Sequence, residues 1–120
     1  MSEQPVIDPE IMDRLHGWGG PELVLKLISL FLENTPEKLD EIRVGLASGE
    51  IQRVERAAHS LKSSAGNLGA SRMHYLAAEI EELAAADDEP RLPALAAALE
   101  EAHGETCARL RELQSDDSDA

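Results

Sequence analysis

Residues 50–70 read EIQRVERAAHSLKSSAGNLGA. Within this stretch Ile51, Val54, Ala58, Leu61, Ala65 and Leu68 recur at alternating spacings of three and four, the period that lines up side chains along one stripe of an α-helix. Ser48-Gly49 ahead of it supplies a helix stop, and Leu68-Gly69 behind it supplies a turn. Glycine accepts the left-handed backbone in which helices commonly end. The stretch therefore predicts one amphipathic helix over residues 50–67, with a single face committed to a core.

The same period extends outward on both sides. Upstream, Val24, Ile28, Phe31, Leu39, Ile42 and Leu46 keep helical phase across Pro36, which predicts one long, kinked helix from Pro21 rather than two helices broken at Thr35-Pro36. Before it, Asp8-Pro9-Glu10 reads as an N-cap, a first-turn proline and a dipole-facing acid. A short first helix with Ile11, Met12 and Leu15 is expected to end near Gly17. Downstream, Met73, Leu76, Ile80 and Leu83 predict a helix from about Ala70 that breaks at Asp87-Asp88-Glu89-Pro90. Leu95, Leu99, Ala102 and Leu110 predict a last helix over residues 92–113.

Four long amphipathic segments with short connections pack economically as an all-α, antiparallel four-helix bundle, with the short additional N-terminal helix as a lid at one end. A chain of 120 residues has room for one such domain, expected to span residues 1–113. Residues 114–120, QSDDSDA, hold nothing apolar apart from the final alanine, so a disordered acidic tail is expected there.

Charge narrows the functional classes. The 24 acidic residues against 11 basic ones give a formal charge of −13, a surface that repels nucleic-acid backbones and anionic membranes. A protein partner is the expectation. The single cysteine, Cys107, forms no internal disulfide, and no apolar run reaches bilayer length, so a cytoplasmic, monomeric protein is expected.

The polar face of the central helix is chemically unusual. His59 lies beside the buried stripe, with Arg56 three residues before it and Lys62, Ser63 and Gly66 three, four and seven residues after it, all at helical spacing. Positive neighbours disfavour the protonated imidazole, which keeps a nucleophilic ring available, and they attract phosphoryl oxygens. The small Ser63 and Gly66 leave access for a phosphoryl donor held by another protein. A histidine at a helix edge with basic neighbours is by itself an ordinary solvated residue; the string around it carries the further reading.

Ala58-His59-Ser60-Leu61-Lys62-Ser63-Ser64-Ala65-Gly66-Asn67-Leu68-Gly69-Ala70 closely resembles the central motif of the histidine-phosphotransfer family of bacterial multistep phosphorelays, roughly A-H-x-L-K-[GS]-[SA]-x-x-N-[LV]-G-A. The Phe-Leu-Glu-x-Thr-Pro segment over residues 31–36 and the Ile80-Glu81 pair are also similar, so the resemblance extends from about Ile7 to Leu113. It implies that His59 is the phosphoacceptor, with the phosphoryl group on Nε2. It implies that Lys62 offers its ammonium to the phosphoryl oxygens. Glu81 then matches a Gln or Glu that orients the imidazole through Nδ1. Ser63 departs from the glycine common at its position, and Asn67 and Gly69 match a structural turn.

The resemblance further implies a phosphocarrier without kinase or phosphatase activity of its own. Its partners would be receiver domains of response regulators or hybrid histidine kinases. No cofactor is expected on the chain itself, and Mg²⁺ is expected on the partner receiver. Met12 and Leu32 are candidate docking contacts.

Four rival readings stand against this one. A purely structural helical adaptor would leave His59 incidental, yet the intact His59-x-x-Lys62 pair argues for chemistry. A bundle metalloprotein would have to gather His16, His74, His103 and Cys107, but no paired-ligand spacing accompanies them, so no metal is expected. A minimal histidine kinase lacks a nucleotide motif, and Gly17-Trp18-Gly19-Gly20 has neither the preceding strand nor the following Lys-Ser/Thr of a phosphate loop. A Ser-His hydrolase lacks an orienting acid in the motif.

Overall fold

A computed structural model describes residues 4–119 of the chain, with side chains described as far as Asp116. Four helices follow in order: α1, Pro9–Ser48; α2, Ile51–Leu68; α3, Ser71–Ala85; and α4, Leu92–Asp119. No strand occurs among the described residues. In space α1 packs on α2, α2 on α3, α3 on α4 and α4 back on α1. This closed cycle of neighbours, joined by short turns, is the antiparallel bundle expected from the apolar period.

The first helix begins as the sequence indicates. Asp8 caps it, with Oδ1 accepting from the Glu10 amide at 2.9 Å, and Pro9 follows in the first turn. The break between the short N-terminal helix and the long one falls at Gly20, with φ 67° and ψ −167°, and not at Gly17. Two effects coincide at Gly20: the following Pro21 disfavours helical geometry in the residue before it, and only glycine enters positive φ without cost. Gly17 has no such successor and stays helical. Beyond Pro21 the helix runs through Pro36 with helical backbone angles, the single-helix alternative favoured by phase.

The N-terminal segment closes one end of the bundle. The Asp8 amide donates to the Gly69 carbonyl at 2.7 Å, and the Arg72 amide donates to the Pro5 carbonyl at 3.0 Å. Gly69 itself takes φ +74°, and a Cβ built on it would meet Cβ of Ile11 at 2.9 Å. A glycine is required here twice over, by its backbone angle and by the lid lying on it.

The core is drawn from all four helices: Val24, Ile28, Phe31 and Ile42; Val54, Leu61 and Leu68; Met73 and Ile80; Leu92, Leu99 and Leu110. Each fully buried Leu or Ile contributes on the order of 1.5–3 kcal/mol relative to exposure. Leu46, Ile51 and Leu95 lie at its margin, partly covered. Met12 is also in the core, 6% exposed, which removes it as a docking contact; Leu32 is partly buried and packs on the same core.

The last helix departs from expectation. It passes Leu113 and continues to Asp119, so residues 114–119 of the expected disordered tail are helical, while Ala120 lies outside the described residues. No glycine or proline follows Gly104, so nothing in the sequence ends the helix by backbone chemistry. The aligned backbone continues one hydrogen bond per residue once nucleated.

Candidate functional site

Because the buried face of α2 is set by Val54, Ala57, Ala58, Leu61, Ala65 and Leu68, His59 is turned outward. Its side chain is 63% exposed, further from the core than the edge position read from the sequence. The neighbouring helix α3 buries Met73, Ala77, Ile80 and Ala84, which turns Glu81 toward α2. The imidazole Nδ1 and Glu81 Oε2 are 2.6 Å apart. A carboxylate can only accept, so Nδ1 carries the hydrogen, and in the neutral ring the lone pair lies on Nε2.

The second oxygen of Glu81 is also engaged. The Lys62 ammonium donates to Oε1, and Lys62 and Glu81 are 31% and 19% exposed. One carboxylate thus holds the imidazole with one oxygen and the lysine, three residues further along α2, with the other. Lys62 holds the Glu81 carboxyl below the usual carboxylate range, and the His59 hydrogen bond acts in the same direction; partial burial opposes both.

His59 opens on a groove of about 530 Å³ lined by Gln52, Glu55, Arg56, Ser60 and Glu81. Arg56 acts electrostatically on the Glu50 carboxylate. It lines this groove and also an adjoining polar one with Lys38, Glu41 and Arg53. The locally positive strip expected from the sequence is therefore divided. Lys62 is paired on the α3 side, Arg56 stands on the α1 side, and Glu55 and Glu81 also line the groove.

Ser63 is exposed on the same face. Gly66 is not cleared for docking in the way its spacing suggested: a Cβ on it would stand 3.1 Å from Nδ1 of His74. The His74 ring occupies that space and donates from Nδ1 to the Lys62 carbonyl at 3.0 Å. Sequence reading missed His74 and Gln52 as parts of this face. The signal was present, because His74 precedes Glu81 by seven residues and Gln52 precedes His59 by seven, two helical turns in each case.

The remaining metal-capable residues do not converge. Among the described residues no group of three or more His, Cys, Asp or Glu side chains is placed to hold a metal ion. His103 and Cys107 do meet, with Nε2 and Sγ 3.3 Å apart. His103 in turn meets Thr35 across the α1–α4 interface, away from His59. Also among the described residues, no helix is long and apolar enough to cross a membrane.

Residues 26–116 match the Hpt domain family. The chain belongs to that family. This Hpt domain is thus a histidine phosphotransfer protein of phosphorelays, a phosphocarrier by class. It is 36% identical over 63 residues to the sensor protein TorS of Escherichia coli strain K12, covering 52% of this chain and 7% of that protein. Its fold superposes with a TM-score of 0.88 on the crystal structure of histidine-containing phosphotransfer protein B (HptB) from Pseudomonas aeruginosa PAO1. That likeness covers 93% of this chain and 96% of the other at 24% identity, and it shows a shared bundle architecture.

Proposed function

We propose that this Hpt domain carries its phosphoryl group on Nε2 of His59 and exchanges it with aspartates of receiver domains, in response regulators or hybrid histidine kinases. The observation that carries this reading is the Nδ1 contact with Glu81 at 2.6 Å on an outward-facing ring. It specifies the tautomer and leaves the reactive nitrogen facing solvent, where a docked receiver can bring its phosphoaspartate in line.

In the forward step the Nε2 lone pair forms the N–P bond as the P–O bond to the receiver aspartate breaks, and the aspartate leaves as a carboxylate. The proton on Nδ1 stays on the ring, against Glu81. Lys62 and Arg56 supply positive charge for the phosphoryl oxygens, and Ser63 keeps the approach low. Onward transfer reverses these events. The receiver brings the Mg²⁺ and the acidic pocket, and the bundle, with no nucleotide site in its sequence, carries the group without kinase or phosphatase activity of its own.

The test is phosphoryl transfer from a phosphorylated receiver domain in the presence of Mg²⁺, comparing the wild type with His59→Gln. Acid-labile, alkali-stable label on the wild type alone supports the reading. Stable binding to several receivers with no label on either protein would replace it with the structural adaptor.

A further inference from the structure

Glu81 serves two donors with one charge. Its Oε2 accepts from His59 Nδ1 at 2.6 Å, and its Oε1 accepts from the Lys62 ammonium. In the form of the protein that attacks phosphorus, the ring holds a lone pair on Nε2 and is neutral, so Lys62 is the only full positive charge on that carboxylate. Loading changes the count. Once Nε2 bears the phosphoryl group and Nδ1 keeps its proton, the ring is cationic and a dianionic phosphoryl group stands beside Lys62.

We propose that Glu81 is a positioning residue that holds Lys62 in reserve before transfer, and that loading of His59 exchanges the Lys62–Glu81 pair for a Lys62–phosphoryl contact while Glu81 becomes the counter-ion of the phosphorylated ring. This rests on the proposed role of His59. Three features support it. The lysine sits one turn from the histidine on α2, within reach of either partner. Its flexible four-carbon stem moves the ammonium without moving the helix. The ammonium is already drawn onto Oε1 of Glu81, so any pull toward a phosphoryl group on Nε2 works against a contact in place.

The consequence is a buffered equilibrium. In the wild type Lys62 gains a phosphoryl contact only by giving up Glu81, so its net pull toward phosphohistidine is small and the group remains transferable. Glu81→Gln keeps an oxygen for Nδ1 but removes the charge that retains Lys62. The lysine then favours the loaded state without an opposing loss.

The experiment is a double-mutant cycle on the equilibrium of phosphoryl exchange with one receiver domain, using wild type, Lys62→Met, Glu81→Gln and the double variant. All four are checked for unchanged helicity and unfolding midpoint. Lys62→Met is expected to lower the phosphohistidine fraction roughly three- to fivefold more in the Glu81→Gln background than in the wild type, the scale of a partly exposed ion pair. Equal effects in the two backgrounds overturn the exchange while leaving His59 as carrier. Failure of the wild type to take label from any receiver overturns the carrier reading and this inference with it.

Discussion

The hydroxyl of Thr35 on α1 lies 2.8 Å from Nε2 of His103 on α4. Thr35 also donates to the Phe31 carbonyl at 2.7 Å, so its one proton is committed and the ring nitrogen is the donor between them. Burial holds the His103 imidazole below its ordinary value of 6.5, and Arg111 adds to the effect. A depressed imidazole means that the unfolded chain binds the proton first. Stability therefore falls as pH drops from about 6.5 through the lowered value, and levels off beneath it. His103→Gln is expected to flatten that part of the profile. Denaturant midpoints measured between pH 7.5 and 5 for both proteins decide it; parallel profiles would remove His103 as the cause.

Lys62 is the largest cause of the depressed Glu81 carboxyl. Lys62→Met should move the Glu81 titration back toward 4.5, read by carboxyl-carbon NMR. The stabilising contribution of this carboxylate is present above its unfolded value and is lost as pH falls through its lowered one. An unmoved Glu81 titration would show that the His59 hydrogen bond sets the depression instead.

Gly45 of α1 packs tightly against the start of α2, where an added Cβ would stand 2.8 Å from Cγ2 of Val54 and 3.2 Å from the Glu50 carbonyl. Val54 is fully buried and the carbonyl is backbone, so neither yields readily. Gly45→Ala is expected to destabilise by about 1–3 kcal/mol, despite alanine's better helix propensity. An unfolding midpoint at or above that of the wild type would show that the two helices can separate without loss.

Gly69→Ala should cost at least about 1–2 kcal/mol from its left-handed backbone, plus whatever displacement of Ile11 adds. Chemical unfolding measures the total. Hydrogen exchange at the Asp8 amide, bonded to Gly69, should rise in the same variant; protection equal to wild type would show that the lid does not depend on this contact.

Much of the architecture was legible because it depends on local rules. Apolar spacing located α2 and the phase of α1 through Pro36, and the Asp8-Pro9 pair located the first cap. Gly20 was legible in retrospect through Pro21. The helical course of residues 114–119 was not, because polarity argues against burial but a helix already nucleated can continue without it.

The sequence by itself determined which residues face the core, and hence that His59, Lys62 and Ser63 share the outward side of one helix, since helical period is a property of the backbone alone. Only the tertiary structure decided what those side chains do to one another. The α2–α3 packing turned Glu81 into a clamp on both His59 and Lys62 and set His74 on Gly66, and the docking of the N-terminal segment on the end of the bundle sank Met12 into the core. These contacts depend on the rotation and register of one helix against another, which the summed packing of all four selects and no single stretch encodes.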